Sequence, residues 1–196
     1  MTVHRLDPVE LRVLGCLIEK QRATPEQYPL TLNALRLACN QATSREPVME
    51  LDEAEVRAAA QSLGTKGYAR LATGPGSRTA KYRQLFQEAL DLLPAEVSVL
   101  AVLMLRGPQT ASELKARTAR LAQIDDVQEV LQRLDGRELV HLLPRQPGQS
   151  AERWTHLLAE GPSEDAEPET LEKRLARLEE RLGELERLLA ERGLLD

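Results

Sequence analysis

The sequence predicts a mainly α fold with small two-stranded β wings, an α+β class, and three observations predict it. A pattern of helix, tight turn, short strand, Gly/Pro loop and second short strand occurs twice. The first copy is LDEAEVRAAAQSLGTKGYARLATGPGSRTAKY, residues 51–82, and the second is IDDVQEVLQRLDGRELVHLLPRQPGQSAERW, residues 124–154. Aromatic residues make up only 3% of the 196, so cores must be built from Leu, Val and Ala, which suits helices better than a large sheet. Near the C-terminus, leucines alternate spacings of four and three, the seam of a coiled coil.

The two copies match position by position. Val56, Ala59, Ala60 and Leu63 fall at i, i+3, i+4 and i+7, one face of a helix, and Val127, Val130, Leu131 and Leu134 repeat that face 71 positions later. A glycine follows each helix, Gly67 and Gly136, then a short apolar strand, Tyr68 to Leu71 and Leu139 to Leu142. Pro75-Gly76 matches Pro147-Gly148, and Tyr82 matches Trp154. A Pro-Gly pair between short strands is a hairpin signal. Such a helix followed by a hairpin is how the recognition helix and wing of a winged helix-turn-helix look in sequence. The expected organisation is therefore two tandem winged helix-turn-helix domains, residues 1–86 and 87–158, an acidic linker at 159–169 and a leucine-heptad helix at 170–196.

Elements follow in chain order from their boundary signals. Asp7-Pro8 starts a helix, an N-cap acid before proline at the first helical position. It runs to about Arg22, with Leu11, Leu14, Leu17 and Ile18 inward. The two prolines of ATPEQYPLT interrupt it. Thr31 caps a second helix carrying Leu32, Leu35, Ala38 and Cys39 inward, fading at Asn40. QATSREPVMEL is a long turn before Asp52 caps the third helix. A short helix at 85–93, closed by Pro94, joins the domains. The run VSVLAVLML is apolar nearly all round, so it is expected to be buried on more than one side. Thr110 and Glu113 form a capping box.

Formal charge is −5, but it is unevenly spread. Residues 1–93 hold 12 basic and 11 acidic side chains, residues 94–158 hold 8 and 8, and residues 159–196 hold 6 and 12. The acidity lies in the tail. No apolar run reaches 18 residues, so no membrane span is expected, and MTVHRLDPVE lacks the apolar core of a signal peptide. Cys16 and Cys39 sit on apolar helix faces and fit free buried thiols in a reducing, cytoplasmic setting; no partners at ligand spacing suggest a disulfide or a metal.

The runs LGCLIEK and YPLTLNALRLACNQATSREPVMELDE resemble the YceH family of uncharacterised bacterial proteins, and VLAVLMLRGPQTASEL is similar to the same pattern. The resemblance covers about residues 6–158. It implies a tandem winged-helix fold and no established activity. The signature positions are Tyr28, Pro29, Thr31, Asn33, Asn40, Gln41, Ser44, Arg45, Pro47 and Met49, carried over without an assigned role.

Enzyme readings lack the inventory. His4, His141 and His156 are scattered, although His141 and His156 are candidates for neighbours across the second hairpin. No Gly-rich phosphate loop and no G-x-S-x-G occurs. Asp52-Glu53 and Asp125-Asp126 are explained by the helix dipole. No catalytic residue, cofactor or metal is expected. Tyr82 and Trp154 read as core residues closing each wing.

The nucleic-acid case rests on the outward face of the first repeat helix, Arg57, Ala58, Gln61, Ser62 and Thr65, and on the adjoining cations Lys66, Arg70, Arg78, Lys81 and Arg83. An ordinary solvated face would look the same. Asp52, Glu53 and Glu55 at the start of that helix oppose phosphate. The second copy presents Gln128, Glu129, Gln132 and Arg133, with only Arg145 and Arg153 on its wing, and is the weaker DNA candidate. Leu171, Leu175, Leu178, Leu182, Leu185 and Leu189 fill a and d positions, and Arg174 and Arg181 would face Glu179 and Glu186 of a parallel partner, so a homo-oligomer is expected. A helix folded back on its own domain is the competing reading. The function expected is a non-enzymatic DNA-binding regulator contacting duplex DNA through its first domain; the alternative is a scaffold whose winged helices dock other proteins.

Overall fold

The computed structural model describes residues 3–72, 80–145, 149 and 151–160. Contacts divide the chain into two units, Met1–Ala159 and Glu160–Asp196. The wing tips Pro75-Gly76 and Pro147-Gly148 and the leucine seam Leu171, Leu175, Leu178, Leu182, Leu185 and Leu189 lie outside the described residues. The described residues form seven α-helices, one 3-10 turn and five short strands in two antiparallel sheets, a mixed α/β arrangement. None of these helices is long and apolar enough to cross a membrane.

The first half holds α1 (Pro8–Ala23), the 3-10 turn Pro25–Gln27, β1 (Leu30–Thr31), α2 (Leu32–Cys39), α3 (Glu53–Thr65), β2 (Ala69–Ala72) and β3 (Lys81–Gln84). Single-residue caps set these boundaries. Asp7 accepts from the backbone N–H of Val9 and Glu10 at 2.7 and 2.8 Å, while Glu10 accepts from Asp7 N–H at 2.9 Å. Thr31 accepts from Ala34 N–H at 3.2 Å, and Asp52 from Ala54 and Glu55 at 2.7 and 2.9 Å. Sheet order is β1-β3-β2.

The second half holds α4 (Phe86–Ala89), α5 (Pro94–Arg106), α6 (Ala111–Thr118), α7 (Val127–Gly136), β4 (Val140–Leu143) and β5 (Arg153–His156). Two expectations are corrected here. The helix expected over 85–93 is a single turn, because Asp91 takes a left-handed φ of 47° and ends it. Pro94 opens α5 instead of closing α4, as suits a residue without an N–H to donate.

The duplication is visible in the backbone. Gly67 takes φ 76° after α3, and Tyr68 N–H closes the turn on Leu63 C=O at 2.8 Å. Leu139 N–H closes on Leu134 C=O at 3.0 Å after α7, 71 positions later. Gly136 is not the turn residue expected, since it is the last residue of α7; Glu138, with φ 56°, occupies the place of Gly67. These turn closures use Tyr68 and Leu139, so both strands begin one residue later than expected. Leu71 pairs with Tyr82 in one hairpin and Leu142 with Trp154 in the other. The repeat reaches further back. Leu30 pairs with Tyr82 just before the cap Thr31, and Gln109 bridges Trp154 just before the cap Thr110.

Residues 1–159 share a continuous apolar core. Its axis is the packing of α1 along α5, where nearly every α5 residue from Glu96 to Leu105 is buried. Gly15 permits the close approach: a Cβ there would lie 2.9 Å from the Leu105 side chain and 3.3 Å from Met104. The ends of the unit meet as well, Leu6 N–H donating to Leu158 C=O at 2.8 Å with both side chains fully buried.

The long turn after α2 is pinned by side chains of the signature positions. The Asn40 amide donates to Leu51 C=O at 2.8 Å and accepts from Leu51 N–H at 2.9 Å. Arg45, 4% exposed, meets Glu19 at 2.6 Å, Ala38 C=O at 3.1 Å and Gln41 at 3.0 Å. Buried Arg12 donates to Cys39 C=O and Pro47 C=O at 3.0 and 2.5 Å. Glu46 N–H reaches Leu105 C=O at 2.8 Å, tying the turn to α5. The Tyr28 hydroxyl accepts from Gln84 N–H at 2.6 Å. Cys16 and Cys39 are free and buried.

Candidate nucleic-acid interface

Helix α3 turns Val56, Ala59, Ala60 and Leu63 into the core, which leaves Arg57, Ala58, Gln61 and Thr65 in solvent. Strand β3 adds a second surface. Tyr82 and Gln84 point inward, so Lys81 and Arg83 share the outer face with Arg70 and Ala72 of β2. Arg70 stands directly opposite Arg83 in the ladder, and Lys81 opposite Ala72. Two cations facing each other repel; Arg83 is relieved by Glu88 at 2.8 Å. Arg57, Arg70 and Lys81 have no ion-pair partner among the described residues. Arg78 lies outside the described residues.

Two sequence candidates face elsewhere. The Lys66 ammonium lies 2.6 Å from Glu10 Oε2, 2.7 Å from Oε1 and 3.1 Å from Arg5 C=O. Ser62 lies on the same side, near enough to Glu10 to help hold its carboxyl down. Burial pushes the Glu10 carboxyl up, but the bonds from Lys66, Ser62 and Asp7 N–H outweigh it and hold the group below its ordinary 4.5. Lys66 therefore anchors α3 to the start of α1. The exposed acids at the start of α3 have a local explanation too, since Asp52 and Glu55 form a capping box, Asp52 N–H donating to Glu55 at 2.7 Å.

On the equivalent surface of the second half Arg133 and Arg153 are neutralised. Arg133 pairs with Glu129 at 2.9 Å and with Glu96 at 3.3 Å. Arg153 pairs with Glu113 at 3.0 Å and donates to Pro108 C=O at 2.9 Å, and Arg145 donates to Gln149 C=O at 2.6 Å. The ladder also corrects the placement of His141 and His156. His141 pairs with Thr155 and His156 with Val140, so the one-residue step sends the histidines to opposite faces. Burial lowers the His156 pKa to about 4, and its Nδ1 accepts from Leu158 N–H at 3.3 Å. Trp154 packs partly buried against the core, and Tyr82 is buried.

Sequence reading missed three cations on another surface. Arg106 in the last turn of α5, Arg117 in the last turn of α6 and Arg120 just beyond it line one cavity with Ser44. Read singly, last-turn arginines look like ordinary complements to a helix dipole, and nothing in their spacing reveals the convergence.

Comparison with known proteins matches residues 6–149 to a family model described as protein of unknown function, DUF480. The chain is 44% identical to a UPF0502 protein of Pseudomonas fluorescens (strain SBW25), over 94% of each chain. It is 51% identical to a UPF0502 protein of Azotobacter vinelandii over 81% of this chain and 71% of that one. It is 48% identical to a UPF0502 protein of Geobacter metallireducens over 90% of this chain and 82% of that one.

Proposed function

The chain belongs to the DUF480 family of uncharacterised bacterial proteins, and from that premise we propose that it is a non-enzymatic, tandem winged-helix protein that binds duplex DNA through its first half. What supports the winged-helix reading is the order of three helices and a hairpin, with a short strand ahead of the second helix pairing onto the hairpin, present once in full and once with a single bridge in its place. The observation that carries the DNA reading is the unneutralised outer surface of α3 and its hairpin. Arg57 and Gln61 stand one helical turn apart, with Glu53 one turn before them as the carboxylate of that stripe, beside Arg70 and Lys81. Amide and guanidinium groups there suit base edges in a major groove, and strand cations suit phosphates. The leucine heptads at 171–189 would pair two or more chains and double this surface.

Fluorescence anisotropy with a mixed-sequence duplex, at low and physiological salt, tests it. Affinity in the micromolar range at low salt that collapses as salt rises is the expected result, because bound phosphates release counterions. No binding at low salt would remove the DNA reading. It would leave a protein-docking scaffold, a reading favoured by the 56% and 57% exposure of the apolar Leu37 and Val48 and by the acidic start of α3.

A further inference from the structure

A cavity of about 310 Å³ opens where the first half meets the second, between the end of α1, the turn after α2, and the C-terminal ends of α5 and α6. Its back wall is apolar, formed in part by the buried Val102 and Leu105. Its rim is cationic: Lys20, Arg106, Arg117 and Arg120 all line it. The one carboxylate in the lining, Glu19, is engaged by Arg45 at 2.6 Å and Lys20 at 3.9 Å. Arg117 is paired with Glu113 at 3.3 Å. Arg106 and Arg120 have no carboxylate partner among the described residues, and Arg106 donates only to the Ser44 hydroxyl. Ser44 itself holds a left-handed φ of 64°, a backbone state that a non-glycine residue keeps only where its surroundings enforce it.

We propose that this cavity binds a small phosphate ester, with Arg106 and Arg120 gripping the phosphate and the Val102–Leu105 wall receiving a compact apolar or neutral body. The volume lies at the small end of ligand pockets, which fits a metabolite-sized molecule and excludes a duplex. Guanidinium forks match phosphate oxygens two at a time, and a phosphate monoester carries nearly two charges at neutral pH, enough to balance two unpaired arginines. Burial lowers the Arg106 pKa, and neighbouring Arg117, Arg45 and Arg120 lower it further against the opposing pull of Glu19. That like-charge crowding is the cost a bound dianion would relieve. Because the lining comes from both halves, the ligand would clamp the turn after α2 to α5 and α6. This inference does not depend on the DNA reading, whose residues lie on α3 and β2–β3.

The test is calorimetric titration of the full chain with inorganic phosphate and with pyrophosphate, with citrate as the carboxylate comparison. Saturable pyrophosphate binding with Kd below about 1 mM is expected, weakened at least about tenfold by Arg106→Gln and by Arg120→Gln. Lys115→Gln removes the same charge from an exposed position of α6 outside the cavity and is expected to leave binding unchanged. Arg120 is exposed, so its variant decides the matter if Arg106→Gln fails to fold. Absence of saturable binding, tighter binding of citrate than of pyrophosphate, or equal weakening by Lys115→Gln would each overturn the proposal.

Discussion

Lys66 and Glu10 form a partly buried ion pair, ammonium to buried carboxylate at 2.6 Å, that joins the end of α3 to the first turn of α1. The second half repeats the device, with its cation 71 residues on. Arg137 stands where Lys66 does, and Glu96, buried in the first turn of α5, receives it at 3.6 Å while also accepting from Leu93 N–H at 2.8 Å. In each half the carboxylate at the third helical position both caps its own helix and holds the end of the helix before the hairpin, α3 or α7.

Removing one member should therefore cost stability and leave nucleic-acid contacts alone. Lys66→Met strands the Glu10 carboxylate, 1% exposed, and is expected to lower unfolding free energy by about 3 kcal/mol, measured by urea denaturation. At temperatures where both proteins are folded, the salt dependence of any DNA binding should not change. A shallower slope would place Lys66 on phosphate after all.

Glu10 also sets an acid limit. Its folded pKa lies below its ordinary value, so its contribution is present above the unfolded carboxyl range and is lost as pH falls through the folded value. Glu10→Gln should abolish that part of the acid-side loss in a series of melting temperatures from pH 7 down to 3. A variant as acid-sensitive as the parent would contradict it.

His156 adds a second slope at higher pH. The fold holds the ring neutral, its pKa near 4 against an ordinary 6.5. The unfolded chain takes up the proton first, so stability declines as pH drops from about 6.5 toward 4 and is unaffected above that window. His156→Gln should flatten the curve between those limits, by up to about 3 kcal/mol at the low end.

Arg57 and Lys81 should each remove about one phosphate's worth of salt dependence when changed to alanine, a reduction of about 0.9 in the log–log slope. Changing Arg83, already paired with Glu88, should remove less. Anisotropy titrations over a salt series would separate the three, and identical slopes for all variants would take the interface off this face.

Gly15→Val is expected to destabilise by about 1–3 kcal/mol through overpacking, since the new side chain would enter the space of Leu105. Thermal unfolding checks it; an unchanged midpoint would mean α1 and α5 can part without cost.

The parts of this fold that could be read in sequence are those set by neighbours a few residues away. The caps Asp7, Thr31, Asp52 and Thr110 depend on backbone groups two or three positions on, so residue type alone revealed them. The inward faces of α3 and α7 followed from spacing. Glu138 was hidden because a left-handed turn normally announces itself with glycine, and here the conformation is taken by a residue that gives no such signal. The Lys66–Glu10 pair spans 56 positions, and a lysine bound to a buried carboxylate has the same letter as one waving in solvent. For the same reason the sequence sets Lys66 and Ser62 beside Arg57 and gives no sign that Arg106 and Arg120 converge.

The crossing of α1 on α5 through Gly15 has a consequence for how the protein came to be and how it can be taken apart. Each half packs its first helix against the other's as well as against its own, so a fragment ending near residue 86 would display a strip of bare aliphatic surface where Leu105 and Met104 had been. A doubled motif of this kind no longer consists of two transplantable modules. Cutting it between the halves is expected to leave a product prone to clump with its own kind.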